Sequence, residues 1–443
     1  MRLVNFESRA MLATLVLLAM LPIASYGQGP AYGVQQSAPE SEIEYGVMGY
    51  SSRPRVDPVA LFLKTNGHDL AYHPVRGYLD SLLKALAINP SSQLLVFSRT
   101  SLNVANIKPA TPRAIYFNDE AYVAWVPDSG VIEIAAMDPR LGPVFYTLNQ
   151  DQQAGVRVEQ QVSQCLRCHD SYSMTGGGVP RFILGSGYTG ANGNLVSHEG
   201  WILTDTSTPL QSRWGGWYVT GKHGNQVHLG NIAVNNPADL YQLENLRIGN
   251  LEKLDDLLNT GTYLTSYSDI VALLVIEHQV EVQNLITRVN YDISTALHNN
   301  PELSGDDVSA KVIVPEPIRQ LVRDITEPLV QAMLMVNETP LTDTIKGGSG
   351  FGEWFEQQGP TDSQGRSLRA FDLQTRLFRY PLSYLIYSNA FDNLPWLARQ
   401  QVYQRLGEIL RGTDKSEQFV HLTSDVRNVI LDILTETKPE FTR

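Results

Sequence analysis

The chain is poor in cysteine: Cys165 and Cys168 are the only two in 443 residues. Two cysteines in a protein of this size cannot form a disulfide framework. Positive charge is also scarce, with 34 Lys and Arg against 46 Asp and Glu and a formal net charge of -12. An acidic chain is a poor binder of nucleic acid or of anionic membrane, whose phosphates need a basic face. Long apolar runs are missing too. The run from Ala10 to Ala24 is about 15 residues, short of the roughly 20 that a spanning helix needs. The glycines of "TGGGVP" (175–180) and "LGSGYTGANGN" (184–194) lack the Gly-Lys-Ser/Thr of a phosphate loop, so nothing points to nucleotide binding. There is no internal repeat and no low-complexity block.

The N-terminal segment has a pattern of its own. Arg2 and Arg9 flank the start of the apolar run, and Ser25 and Gly27 supply small side chains at its end. This reads as a secretory signal peptide over 1–27, cleaved near Gly27, with an uncleaved anchor as the alternative. With no cysteine near the cut, a lipid-anchored form is not supported, and no membrane span is expected after cleavage. Loss of two positive charges and one negative takes the net charge from -12 to -13. The expected location is periplasmic or secreted, and the remaining length suits two or three domains.

Beyond the leader, residues 28–55 mix Gly, Pro, Ser and Gln without periodicity, as in a flexible arm. Residues 56–160 predict an α+β domain with a mixed α/β sheet. Tyr78, Leu82, Leu83 and Leu86 have helical spacing. "QLLVFS", "RAIYFN", "EAYVAWV", "VIEIAAM" and "PVFYTL" are short runs rich in Val, Ile, Tyr and Phe, and "PDSG" between the third and fourth signals a hairpin turn. Residues 161–262 are loop-rich and hold four of the nine histidines, His169, His198, His223 and His228. Residues 263–443 predict a mainly α-helical domain. Its longest helix starts at a Ser268 cap and stops before Pro301, and further helices are expected over 316–336, 367–388, 394–411 and 424–437.

"QCLRCHD" (164–170) uses both cysteines of the chain. Cys165, Cys168 and His169 fit C-x-x-C-H, the attachment sequence of haem c. Two residues between the cysteines let both sulfurs reach the two vinyl groups on one haem edge, and the next residue then presents its imidazole to the iron. Covalent haem attachment takes place outside the cytoplasm, which agrees with an export signal. Three other readings share the motif. A dithiol oxidoreductase would open a helix after a strand in a βαβ unit, a Cys2His2 zinc site would recruit two further histidines, and a plain disulfide would close the two cysteines on each other.

The pentapeptide resembles that of c-type cytochromes generally. The whole chain is similar to a poorly characterised family of exported bacterial proteins with a single cytochrome c motif. That second likeness rests on "TPRAIYFNDEAYVAW", "RWGGWYVTG" and "RLFRYPLSYLIYS" and covers most of residues 75–411. It implies haem binding and redox work without a defined substrate. The chain departs from small class I cytochromes in its length, and from dihaem peroxidases in lacking a second C-x-x-C-H.

Other candidate site residues lie downstream. Met174 follows His169 too closely to reach the opposite haem face. In "RWGGWYVTGKHGNQVHLGN", a two-residue turn at Gly224-Asn225 would pair His223 with Gln226 and Gly221 with His228. His228 is then the first candidate for distal iron ligand or distal group, His223 the second and His198 the third. A loop histidine is about as often a plain hydrogen-bonding anchor. Arg181 and Arg213 are candidates to hold the haem propionates through bidentate guanidinium contacts, against a surface salt bridge for either alone. Trp214, Trp217 and Tyr218 read as packing. On the long helix Glu277, Glu281, Asn284 and Arg288 form a stripe at spacings of four, three and four, read as an internal ion-pair network before a second metal site. His278 beside it is left as haem ligand or supporting group.

The residues thus point to an exported c-type cytochrome with one covalent haem c, acting in electron transfer with a redox partner protein. The competing function is a peroxidase-like haem oxidoreductase with an open distal position. A haem-based sensor or interaction protein is a third.

Overall fold

The computed structural model describes residues 47–67, 69–171, 177–196, 200–234, 239, 249–303 and 313–442. The segments read above as signal peptide and most of the arm lie outside them.

The β-rich runs form one antiparallel meander, strand order β1 to β6. Its strands are β1 Leu94–Val96, β2 Arg113–Phe117, β3 Ala121–Trp125, β4 Val131–Asp138, β5 Gly142–Asn149 and β6 Val158–Gln160. The hairpin expected at "PDSG" joins β3 to β4, with Asp128 at positive φ and the Ser129 amide donating to the Val126 carbonyl at 3.2 Å. Side chains alternate between the two faces. One face carries Ala114, Tyr116, Val123, Trp125, Ile134 and Tyr146 in a core with residues of α1 (Pro58–Asn66) and α2 (Leu79–Ala85). Asp57 caps α1, accepting from the amides of Val59 and Ala60 and also from the Tyr146 hydroxyl at 2.7 Å, which ties the helix to β5. The other face carries Arg113, Ile115, Phe117, Tyr122, Glu133 and Phe145.

That second face meets α3 (Ser163–His169) and α4 (Ile270–His298). At 29 residues, α4 rises about 44 Å. It is capped by Asp269, one residue past the expected start. Tyr122 donates to Gln283 at 2.6 Å, Asn290 to the Arg140 carbonyl at 2.7 Å and Tyr291 to the Leu141 carbonyl at 3.0 Å. The side chain of Thr287 sits where a Cβ on Gly142 would be. By length and mean hydropathy α4 would cross a membrane, yet most of it is buried inside the protein. Residues Ile270 to Ile276 are buried on every side, as an all-apolar run implies.

The other helices, α5 (Glu316–Met333), α6 (Phe351–Glu356), α7 (Asn389–Asp392), α8 (Trp396–Leu410) and α9 (Ser424–Thr437), follow in the second half. One core runs from Ile115 and Phe117 through Leu273, Ile276 and Leu329 to Leu406 and Ile430. The chain is therefore α+β, as expected.

The helix expected over 367–388 does not form. Phe371 and Phe378 pair as an antiparallel bridge with rings stacked 5.6 Å apart. The Asp372 carboxylate accepts the amides of Gln374 and Thr375, and Leu373 takes positive φ. Pro381 blocks a helix through this stretch, and only a short 3-10 turn, Tyr384–Tyr387, follows. Local turn chemistry and aromatic packing override the apolar spacing. Among the described residues of 161–262 beyond α3, the strands form two small ribbons, β7 (Gly185–Gly187) with β9 (Trp201–Leu203) and β8 (Thr189–Gly190) with β10 (Ala233–Val234), and 3-10 turns lie at Leu210–Ser212 and Thr260–Thr262.

Candidate functional site

The clasp grows directly out of the sheet. Gln161 follows β6, its amide donating to the Phe145 carbonyl at 2.8 Å and its side chain to Thr147 at 2.9 Å. The chain then turns into α3. Cys165, Cys168 and His169 stand at i, i+3 and i+4, which on a helix is one face. Val162 and Leu166 pack on the neighbouring core, while Gln164 and Arg167 are exposed. All three clasp side chains are half-buried, and neither cysteine is in a disulfide.

The imidazole of His169 is fixed from two sides. Its ring lies on Phe145, centroids 4.3 Å apart, and its Nδ1 is 2.7 Å from the Arg181 carbonyl oxygen. A carbonyl only accepts, so Nδ1 carries the proton and Nε2 keeps the lone pair. Burial, with the Arg113 guanidinium nearby, pulls the ring down to about 4, and it is neutral at pH 7. This is the ligating form of histidine, with the tautomer set by the hydrogen bond on the other nitrogen. The thiol of Cys165 is pushed up to about 12 by burial, Glu133 and Cys168. Redox-active dithiols show the opposite shift.

Polar groups ring the clasp. Arg113 Nη1 is 3.4 Å from Glu133 Oε2, and Glu133 also accepts from Ser101 and the Leu102 amide. Three buried atoms of these and the adjoining residues, Arg113 Nε, Arg181 Nε and Asp170 Oδ1, are among those with no hydrogen-bond partner in the described residues. The backbone of Arg181 lies at the clasp through its two bonds to His169.

The guanidinium of Arg213 is buried and donates to Glu277 at 2.8 Å, the Thr208 carbonyl at 2.7 Å and the Thr206 carbonyl at 2.8 Å, so it is committed to internal partners and is not a surface ion pair. His223 and His228 do come together, ring centroids 4.7 Å apart, but not in the expected hairpin. The turn exists, with Gly224 at positive φ and the Gln226 amide on the His223 carbonyl at 3.2 Å. Its arms instead bond elsewhere, Gly221 to Leu251, Lys222 to Lys346 and Leu229 to Arg213. Each imidazole accepts a backbone amide, His223 Nε2 from Asn250 at 2.9 Å and His228 Nδ1 from Gly230 at 3.0 Å.

Position along α4 separates the two groups. His228 packs on Trp214, which follows Arg213, the partner of Glu277. His169 is bonded to Arg181, next to Phe182, whose amide donates to Asn284 at 2.8 Å. Glu277 and Asn284 are two turns apart, about 10 Å of rise. Among the described contacts, His223 and His228 meet each other, Trp214 and the amides of Asn250 and Gly230, whereas His169 meets Phe145 and Arg181. His198 and Met174 lie outside the described residues.

The stripe on α4 is an internal polar seam. Glu277 pairs with Arg213, Glu281 accepts from Thr206 at 2.8 Å, Asn284 takes both the amide and the carbonyl of Phe182, and Arg288 donates to the Gly177 carbonyl. It fastens the 177–213 segment to the helix. His278 faces away from it, onto Ser383 at 2.8 Å. Trp214, Trp217 and Tyr218 are buried packing residues.

Phe145, Arg113, Glu133 and Asp170 are site residues that the motif did not reveal. The period-two alternation of β2, β4 and β5 was the available signal, since it puts Arg113, Glu133 and Phe145 on one face. Among the described residues no group of three or more His, Cys, Asp or Glu is gathered to hold a metal ion, so a Cys2His2 zinc site has no further ligands there. No family model, no curated protein and no solved structure matches the chain.

Proposed function

We propose that this chain is an exported c-type cytochrome that carries one haem, bound through thioethers at Cys165 and Cys168 with His169 as proximal iron ligand, and that it transfers electrons to or from a partner protein. The observation that carries the reading is the 2.7 Å bond from His169 Nδ1 to the Arg181 carbonyl. It holds the ring with Nε2 unprotonated, which is what a proximal histidine needs.

The residues present fit the group. Two thiols and one imidazole share a helix face, and Arg113 Nε and Arg181 Nε are buried without a partner among the described residues, which supports Arg181 as a donor to a propionate. When bound, the haem supplies a one-electron couple. The chain's own part is to tether, through Cys165 and Cys168; to orient the imidazole, through Phe145 and Arg181; and to keep water from one side of it with the sheet. Export by the 1–27 segment belongs to the same proposal, because thioether attachment takes place outside the cytoplasm. So does the division into a sheet segment (56–160), a haem segment (161–262) and a helical segment (263–443). The protonated state of Cys165 argues against the dithiol reading.

One observation favours the second function, a haem oxidoreductase with an open distal position: the rings of His223 and His228 already accept the backbone amides of Asn250 and Gly230. The visible spectrum of the haem-loaded protein decides between them. A low-spin ferric form indifferent to cyanide, azide and carbon monoxide supports electron transfer. A high-spin form that binds them overturns it in favour of the oxidoreductase.

A further inference from the structure

Two charged side chains sit on the sheet face beneath the clasp. Arg113 opens β2 and Glu133 lies within β4. The register Ile115↔Ala124 and Ala124↔Glu133 puts both on the face of Ala135 and of Phe145, the ring under His169. Their side chains are only 13% and 17% exposed, with Nη1 3.4 Å from Oε2. Glu133 is held further by the Ser101 hydroxyl at 2.9 Å and the Leu102 amide at 2.6 Å. Arg113 donates to the Thr100 carbonyl at 3.2 Å, and its buried Nε has no partner among the described residues. Ala124 and Ala135 lie between and beside the pair, so the sheet surface there is shallow.

A buried ion pair is weak ground for stability, since apolar residues of similar volume are often as good or better. Its field is another matter. In a medium of low effective dielectric a full charge acts over several ångströms. Glu133 stands opposite Thr147 of β5, which Gln161 bonds at 2.9 Å where the chain enters α3, and Phe145 on the same strand carries His169, so the charged pair lies one strand from the ring under the imidazole. An oxidised haem carries one more positive charge than a reduced one, so a neighbouring cation favours the reduced form and an anion the oxidised form.

We infer that Arg113 and Glu133 are opposed charges that set the reduction potential of the haem, Arg113 raising it and Glu133 lowering it; this rests on the haem reading above. Neither touches the iron, and both act through space.

The test is a spectroelectrochemical titration of the full-length haem-loaded protein and of R113Q, E133Q and R113Q/E133Q. At the wild-type midpoint, E133Q should raise the ratio of reduced to oxidised haem roughly three- to tenfold, up to about 59 mV for a one-electron couple. R113Q should lower it by a similar factor, and the double variant should return towards wild type. Shifts of the same sign, or no shift in haem-loaded single variants, overturn the inference. Removing one partner of a buried pair is the more destabilising change. If R113Q does not fold, E133Q and the double variant decide alone: a rise in the first that the second cancels supports the inference, and an unmoved E133Q overturns it. A wild-type protein without covalent haem by mass overturns the underlying reading and this inference with it, which separates the two failures.

Discussion

His169 and Arg181 exchange two hydrogen bonds: the Arg181 amide donates to the His169 carbonyl at 2.9 Å, and His169 Nδ1 donates to the Arg181 carbonyl at 2.7 Å. The ring is therefore held before any iron arrives. In the haem-free protein, 15N NMR should show His169 as the Nδ1–H tautomer, titrating near pH 4 rather than 6.5. Because the folded value is depressed, the unfolded chain takes up the proton first. This group should cost stability as pH falls from about 6.5 towards 4 and leave it unchanged above. An Nε2–H tautomer, or a titration near 6.5, would contradict the assignment.

His223 and His228 should behave as structural residues. Each ring accepts a backbone amide, from Asn250 and Gly230 respectively. Replacing His228 by Ala leaves the buried Gly230 amide unmet, at a cost of about 1–3 kcal/mol, and replacing His223 frees the part-buried Asn250 amide, at a smaller cost. Urea unfolding of the two variants should register that loss, while the visible spectrum of the haem-loaded protein stays unchanged. An altered spin state in either would return that histidine to the iron.

The pairing of Arg213 with Glu277 should reveal itself by asymmetry. Glu277→Ala strands a buried guanidinium and should destabilise by about 3–5 kcal/mol. The double change R213M/E277M, which removes both charges, should cost less than E277A alone. Denaturant midpoints of the three proteins check this, and a double variant worse than the single would count against a desolvated pair.

Glu281 gives a pH dependence of the opposite sign to His169. Burial raises its carboxyl from 4.5 to about 7, against the pull of Thr206. The folded protein holds this proton more tightly than the unfolded chain, so stability falls as pH rises from about 4.5 to about 7 and is level beyond. Glu281→Gln, which can still accept from Thr206, should flatten that part of a melting-temperature profile. A profile that keeps its slope in the variant would place the effect elsewhere.

Much of the fold was legible because its signals are local. The β-rich runs, the "PDSG" turn and the apolar run that buries Ile270 to Ile276 need no knowledge of distant residues. The stretch 367–388 misled because its apolar spacing is helical, whereas the winning terms are the Asp372 turn, Pro381 and ring stacking between Phe371 and Phe378. The turn at Gly224 was readable; the hairpin was not, since its arms find partners at Leu251 and Lys346. At the site, Cys165, Cys168 and His169 announce themselves by spacing. Phe145 reaches His169 only through strand register, and the Arg181 carbonyl is a backbone atom that no side-chain pattern encodes. Arg213 reads alike on a surface or in a core until Glu277, 64 residues on, is brought beside it.

The most direct measurement is the intact mass of the mature protein and of C165A/C168A, both made in a host with working haem-ligation machinery and denatured before weighing. The account predicts a wild-type mass greater than the polypeptide by one haem, with colour that survives denaturation, and a bare polypeptide mass for the double variant. A wild-type chain at the polypeptide mass, colourless after denaturation, would contradict it.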